Sequence, residues 1–163
     1  MATGLAPRGA GAKRIGIGAE QSCVHPAFRA VLLVYRLPCP LLHIRTRQEA
    51  LSLFGALNRN DRETMGIAYL GSDRMLLGLR HVMGRPESVT VPIARIARDA
   101  LLWSADSVLI AHNHPDGDAR PSAADLALTR RLAQGLSALD VTLLDHLILA
   151  NGAVFSLREQ GLL

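Results

Sequence analysis

Apolar residues recur three or four positions apart in three stretches of the chain, as they do on the buried side of an amphipathic helix. The first stretch starts at the capping box Thr46-x-x-Glu49 and runs to about Asn58. The second follows Pro92, which fits the first position of a helix, and the third covers residues 122–138. The apolar positions of the three predicted helices are Ala50, Leu51, Phe54 and Leu57; Ile93, Ile96, Ala97, Ala100 and Leu101; and Leu128, Leu132, Leu136 and Leu139.

Short apolar runs bounded by turn residues predict five strands. They cover residues 64–70, 75–82, 107–111, 141–150 and 153–157. Gly71-Ser72-Asp73 and Asn151-Gly152 are typical hairpin turns, so the sheet includes antiparallel pairs. Strands and helices mix along the chain in an order that predicts an α/β fold, with a mixed sheet flanked by helices.

The composition is that of a globular protein. The chain has 163 residues, of which 49% are hydrophobic and 20% charged, enough for one domain with a hydrophobic core. The longest apolar run, residues 30–37, is interrupted by Arg36, so no membrane association is expected. Cys23 and Cys39 are the only cysteines and do not have CxxC spacing, which favours a cytoplasmic protein without a disulfide scaffold.

The positive charge is concentrated at the beginning of the chain. Residues 1–47 carry seven basic side chains against a single acid, a net charge of +6. Residues 48–163 carry 11 arginines against 13 acids, a net charge of −2. We therefore predict a basic, flexible segment at 1–43, ahead of a domain at 44–163 whose charge does not indicate nucleic-acid binding. A weak contact of the segment with nucleic acid stays open, but a solvated tail is the favoured interpretation.

Two histidines, His112 and His114, follow the predicted strand 107–111. Side chains two positions apart on a strand share a face, so both rings point the same way off its end. After a turn-rich loop, Ser122 fits the N-cap of the next helix, which places Asp125 in its first turn. Two imidazoles and a carboxylate that converge in this way form a three-ligand zinc site of the catalytic type, with one open position.

Each part of this pattern also has a simpler interpretation. Ser122-x-x-Asp125 is a plain capping box, and on its own that interpretation is favoured. A histidine pair at a strand end is often only hydrogen-bonded. The run His112-Asn113-His114 is not an HNH nuclease motif, because the residues of that motif are dispersed through a ββα unit.

The complete spacing His-x-His-Pro-x6-Ser-x-x-Asp resembles the JAMM motif of the JAB/MPN metalloprotease family. The neighbouring residues 111–118, Pro121-Ser122 and 144–148 resemble the RadC branch of that family, and the likeness extends from about Glu49 to Phe155. The resemblance implies the JAB/MPN fold, a deaminase-like three-layer α/β/α arrangement.

The resemblance also implies a function: a zinc-dependent hydrolase that cleaves a peptide or isopeptide bond. Its metal ligands would be His112, His114 and Asp125, and Ser122 would donate a hydrogen bond to the developing oxyanion. It implies a glutamate base on an upstream strand, for which Glu63 is the candidate. Without the resemblance, Glu63 would be interpreted as a solvated carboxylate paired with an arginine. The rival glutamates are Glu49, which the capping box explains, and Glu87, in a predicted loop.

Two other functions stay open at this point. A DNA-associated accessory protein or metal-dependent nuclease is suggested by the DNA-repair label of the family and by the basic segment. A non-catalytic binding module that has kept the fold is the third interpretation. Near the site, Asp145 is a candidate hydrogen-bond acceptor for a metal-bound histidine, and His146 is expected to be a structural, hydrogen-bonded histidine. The sequence predicts neither the substrate nor the oligomeric state.

Overall fold

The computed structural model of the protein describes residues 33–35, 42–84 and 93–163. The strands are β1 (Leu33–Tyr35), β2 (Thr64–Leu70), β3 (Leu76–Met83), β4 (Ser107–Asn113), β5 (Thr142–Ala150) and β6 (Ala153–Ser156). The helices are α1 (Arg47–Phe54), α2 (Ile93–Leu102) and α3 (Ala123–Ser137), with short 3-10 turns at Gly55–Arg59 and Ser72–Arg74. None of the described helices is long and apolar enough to cross a membrane. Apart from β1, the predicted flexible segment 1–43 lies almost wholly outside the described residues.

The six strands form one sheet in the order β1-β3-β2-β4-β5-β6. Only β4 and β5 run parallel, and α3 makes the crossover between them. The other neighbours are antiparallel, and Met65 of β2 pairs with His112 of β4. This register brings the beginning of β2 and the ends of β4 and β5 to the same edge of the sheet.

Helices cover both faces of the sheet, so the predicted three-layer α/β/α fold is confirmed. α2 and α3 cover one face, where the buried core includes Met65, Ile67, Tyr69, Ile96, Ile110, Leu132 and Leu136. α1 and the 3-10 turn after it cover the other, where the core includes Ala50, Phe54, Leu57, Ala68, Leu109, Ala111 and Leu147. Strand alternation therefore assigns even-numbered β4 residues to the α3 side, and His112 lies on that side.

Part of the buried side of α2 was predicted wrongly. Leu101, assigned to the apolar stripe of α2, is 56% exposed, whereas Asp99 is buried. The buried side of α2 is centred on Ile96 and Ala100, and the guanidinium of Arg80 on β3 lies 2.7 Å from the Asp99 carboxylate. A charged residue can occupy this position because a distant strand supplies its counter-ion, which the helical pattern does not contain.

Candidate metal centre

Four side chains that can bind a metal meet at the edge of the sheet where β4 ends. The donor atoms of Glu63, His112, His114 and Asp125 all lie within 4.8 Å of one another. His112 is on β4, His114 directly follows it, and Asp125 is in the first turn of α3. Glu63 precedes Met65 by two residues and shares its face, and Met65 pairs with His112. The antiparallel register therefore brings a glutamate from a distant part of the chain to the two histidines.

The distances between the donor atoms suit a tetrahedral metal ion. Nε2 of His112 is 3.2 Å from Oδ1 of Asp125, and Nε2 of His114 is 3.4 Å from Oδ2. Zinc ligands at 2.0–2.1 Å from a tetrahedral ion are about 3.3 Å apart. The two Nε2 atoms are 2.8 Å apart, about 0.5 Å closer than in such a site, so the rings would separate slightly around an ion. Oε1 of Glu63 is 3.9 Å from Nε2 of His112. The donor set of two imidazoles and two carboxylates can hold a divalent ion, and its chemistry fits zinc.

Asp125 belongs to the cluster and to a helix cap at the same time. Its backbone N–H donates to Oγ of Ser122 at 3.1 Å, and the Ser122 N–H donates to Oδ2 of Asp125 at 2.8 Å. The Ser122 hydroxyl also donates to Oδ2, at 2.6 Å. Burial raises the pKa of Asp125, but its interactions with His112 and the hydrogen bonds from Ser122 outweigh that effect and hold the pKa below its usual value. The capping box is therefore present, and it leaves Oδ1 turned toward His112.

Glu63 lies beside the histidines and keeps contact with solvent. Its side chain is 26% exposed, a position open to both the cluster and an approaching molecule. Burial raises its pKa, and the Asp125 carboxylate adds to this while His112 and His114 oppose it. Glu49, the rival, caps α1 through Thr46, and Glu87 lies outside the described residues.

Comparison with known proteins shows the family of the chain. The family model for the RadC-like JAB domain matches residues 44–162. The chain belongs to the RadC-like JAB domain family. JAB/MPN domains are generally hydrolytic and often metal-dependent.

Relatives of this RadC-like JAB domain occur in several bacteria, under the name UPF0758 protein. The relative from Acidithiobacillus ferrooxidans is 41% identical over 119 residues, which are 72% of this chain and 52% of the relative. The relative from Marinomonas is 34% identical over 121 residues, 74% of this chain and 52% of the relative. The relative from Neisseria meningitidis serogroup B is 43% identical over 95 residues, 58% of this chain and 42% of the relative. The chain thus spans about half the length of the curated relatives it matches.

Asn113, between the two histidines, is a residue that the sequence analysis missed. Its side chain points to the opposite face of β4 and is buried. Oδ1 accepts from the Thr64 N–H at 2.7 Å, and Nδ2 donates to the carbonyls of Asn60 and Arg62 at 3.0 and 3.1 Å. Asn113 therefore holds the backbone on both sides of Glu63 in this RadC-like JAB domain.

The hydrogen-bond partners of the two histidines differ from those expected. Asp145, the candidate acceptor for the ring of a metal-bound histidine, accepts instead from the backbone N–H groups of His146 and Arg158, so that prediction was wrong. Neighbouring strand residues face opposite sides, and His146 is the one that faces the cluster. His146 is fully buried and lies 2.8 Å from Nδ1 of His112, and burial lowers its pKa to about 3, so it is neutral. Nδ1–H of His114 donates instead to the Asp118 carbonyl at 2.6 Å, which directs its Nε2 toward the cluster.

Proposed function

We propose that this RadC-like JAB domain is a zinc-dependent hydrolase that cleaves a peptide or isopeptide bond in a peptide or protein substrate. The convergence of Glu63, His112, His114 and Asp125 at one point is the observation that carries the proposal. Three of the four follow the spacing of a catalytic zinc site, and the fourth is a partly exposed carboxylate. Membership of a generally hydrolytic family supports the reaction class.

The proposed roles follow from position. His112, His114 and Asp125 would hold the ion. A zinc ion bound there supplies a water of lowered pKa and polarises a carbonyl oxygen. Glu63 takes the proton of the attacking water and returns it to the leaving amine, a task for which a raised pKa suits a carboxylate. Ser122 donates a hydrogen bond to the oxyanion when its hydroxyl turns from Asp125.

A DNA-associated accessory protein or nuclease has less support. The basic segment that suggested it lies almost wholly outside the described residues, and nothing in the described part of the chain favours a nucleic-acid substrate over a peptide.

A charge-neutral substitution of Glu63 tests the proposed reaction. The zinc-loaded chain is incubated with a fluorogenic library of peptides and isopeptides, and cleavage is compared with that by Glu63→Gln. We expect the variant to lose about 10²–10⁴-fold in rate, the usual contribution of a general base, while it keeps its zinc.

The matched control is Glu159→Gln, because Glu159 is exposed and pairs only with a surface arginine. It should cleave like the wild type. If Glu63→Gln cleaves as fast as the wild type, Glu63 is not the base, and if the zinc-loaded wild type cleaves no member of the library, the hydrolase proposal fails.

A further inference from the structure

A chain of three buried hydrogen bonds starts at one metal-binding residue and ends at another. Nδ1 of His112 lies 2.8 Å from Nε2 of His146. Nδ1 of His146 lies 2.6 Å from Oγ1 of Thr129, whose hydroxyl donates to the backbone carbonyl of Asp125 at 2.7 Å. The path leaves β4, crosses β5 and returns through α3 to the turn that carries the Asp125 carboxylate.

The last acceptor, the Asp125 carbonyl, determines which atom is the donor in each of the three hydrogen bonds. A carbonyl oxygen only accepts, so the single Thr129 proton points to Asp125, and Oγ1 is left to accept from Nδ1–H of His146. Nε2 of His146 is then unprotonated and accepts from Nδ1–H of His112. His112 therefore carries a proton on Nδ1, and in the neutral ring Nε2, the atom that faces the cluster, has its lone pair free.

Burial excludes water from these three bonds. His112 and His146 are fully buried and Thr129 is 1% exposed, so water does not replace a missing link. Nε2 of His112, which is outside this series of bonds, lies 3.2 Å from Oδ1 of Asp125 and 2.8 Å from Nε2 of His114. A cation between these atoms, either a metal ion or a proton, reduces the repulsion of their lone pairs.

We propose that Thr129 and His146 are positioning residues that hold His112 in its Nδ1–H tautomer, with Nε2 directed at the metal. The same bonds tie the first turn of α3 to β5, and so set the separation of the Asp125 carboxylate from the His112 ring. The inference rests on the proposed metal site for its purpose, but the tautomer it assigns belongs to the metal-free chain as well.

The first test reads the tautomers directly. Long-range 15N–1H NMR of the metal-free chain, labelled at histidine and held at neutral pH, distinguishes a protonated Nδ1 from a protonated Nε2. We expect Nδ1–H for both His112 and His146. An Nδ1 without a proton on His112 overturns the proposal, whether or not the chain binds zinc.

The second test uses a chemically graded pair of variants. Thr129→Val removes the hydroxyl at nearly constant volume and should weaken zinc binding 10–100-fold in competition with a chromophoric chelator, the usual effect of losing such a partner. Thr129→Ser keeps the hydroxyl and should stay within about threefold of the wild type, well inside that range. Thr142→Val, on the exposed side of β5, is the control and should leave zinc affinity unchanged.

The outcomes separate this inference from the proposed function. Equal zinc affinity of Thr129→Val and the wild type overturns the positioning role while the metal site stands. If the wild type binds no zinc, the proposed function fails, and the NMR result on the wild type alone decides the tautomer. If Thr129→Val does not fold, the NMR result on the wild type again decides between the two outcomes.

Discussion

At the scale of single residues, Asp125 serves two purposes with one carboxylate. Oδ2 accepts both hydrogen bonds from Ser122, while Oδ1 lies 3.2 Å from Nε2 of His112. The sequence offers the capping box and the metal site as alternative interpretations of Ser122-x-x-Asp125, and the structure makes them compatible. Each nonetheless makes a different demand on the residue, because the cap needs only an acceptor whereas a divalent ion also needs the negative charge.

Asp125→Asn separates the two demands. The amide oxygen still accepts from the Ser122 N–H, so the cap is kept, while loss of the charged interaction with His112 should lower the free energy of unfolding of the metal-free chain by about 1–3 kcal/mol at neutral pH. Zinc affinity should fall by more than about 100-fold, because a ligand is lost rather than a supporting group. Urea unfolding and chelator competition measure the two effects. Asp106→Asn, at an exposed residue before β4, is the control, and unchanged zinc affinity in Asp125→Asn would exclude it as a ligand.

At the scale of elements, the site depends on how three segments are held together. The segment that carries Glu63 is not part of β2, and Asn113 holds it through the Thr64 N–H and the Arg62 carbonyl. Asn113 is buried, so its three bonds are made in a place that water does not enter readily. The residue between His112 and His114 thus connects the end of β4 to the segment that carries Glu63.

Asn113→Ala should release the segment around Glu63. Removal of the amide leaves the buried Thr64 N–H without its acceptor and takes one donor from the Asn60 and Arg62 carbonyls, which should lower the free energy of unfolding by about 1–3 kcal/mol. The Thr64 amide should lose its protection in hydrogen exchange, while zinc stays bound. Asn58→Ala, at an exposed position of the 3-10 turn, should show neither effect. A Thr64 amide as protected in Asn113→Ala as in the wild type would contradict this role.

The sequence predicts the local parts of the site and misses the parts that depend on the sheet. His112, His114 and Asp125 lie in one short segment, so periodicity and capping rules were enough to find them as candidates. Glu63 was identified only through the family resemblance. A shift of the β2–β4 pairing by two residues leaves every side chain on the same face of the sheet, so alternation alone does not show which residue lies beside His112. His146 is the structural, hydrogen-bonded histidine that was expected, but its partners His112 and Thr129 lie on other elements, and no local pattern indicates such pairings. The same holds for Asn113, whose partners lie about 50 residues away in the sequence. Asp99 was missed for the same reason, since its counter-ion Arg80 lies on another element.

At the scale of the whole molecule, the cluster joins the sheet to the layer of helices above it. His112 comes from the middle of the sheet, Asp125 from α3, and Glu63 from the segment that precedes β2. An ion bound by all of them would hold these parts together in the folded chain only, because the unfolded chain does not bring them to one point. Metal binding at the cluster would therefore be coupled to the stability of the domain.

Zinc should raise the melting temperature of the chain. At a free concentration about 100 times the dissociation constant, binding adds about 2.7 kcal/mol to the free energy of unfolding, and this corresponds to a rise of roughly 5–10 °C. Differential scanning fluorimetry with zinc and then with a chelator measures the rise and its reversal. Magnesium, which prefers oxygen ligands and octahedral geometry, should have little effect. A melting temperature that does not respond to zinc would contradict the coupling.

The most direct test of the central claim is anomalous diffraction at the zinc absorption edge from a crystal of the zinc-loaded chain. The account predicts a single strong peak within about 2.0–2.2 Å of Nε2 of His112, Nε2 of His114 and a carboxylate oxygen of Asp125. Glu63 should lie next to the peak, on its solvent side. A crystal of zinc-treated protein with no peak at this position, or with these three side chains turned away from the peak, would contradict the claim that they form a metal centre.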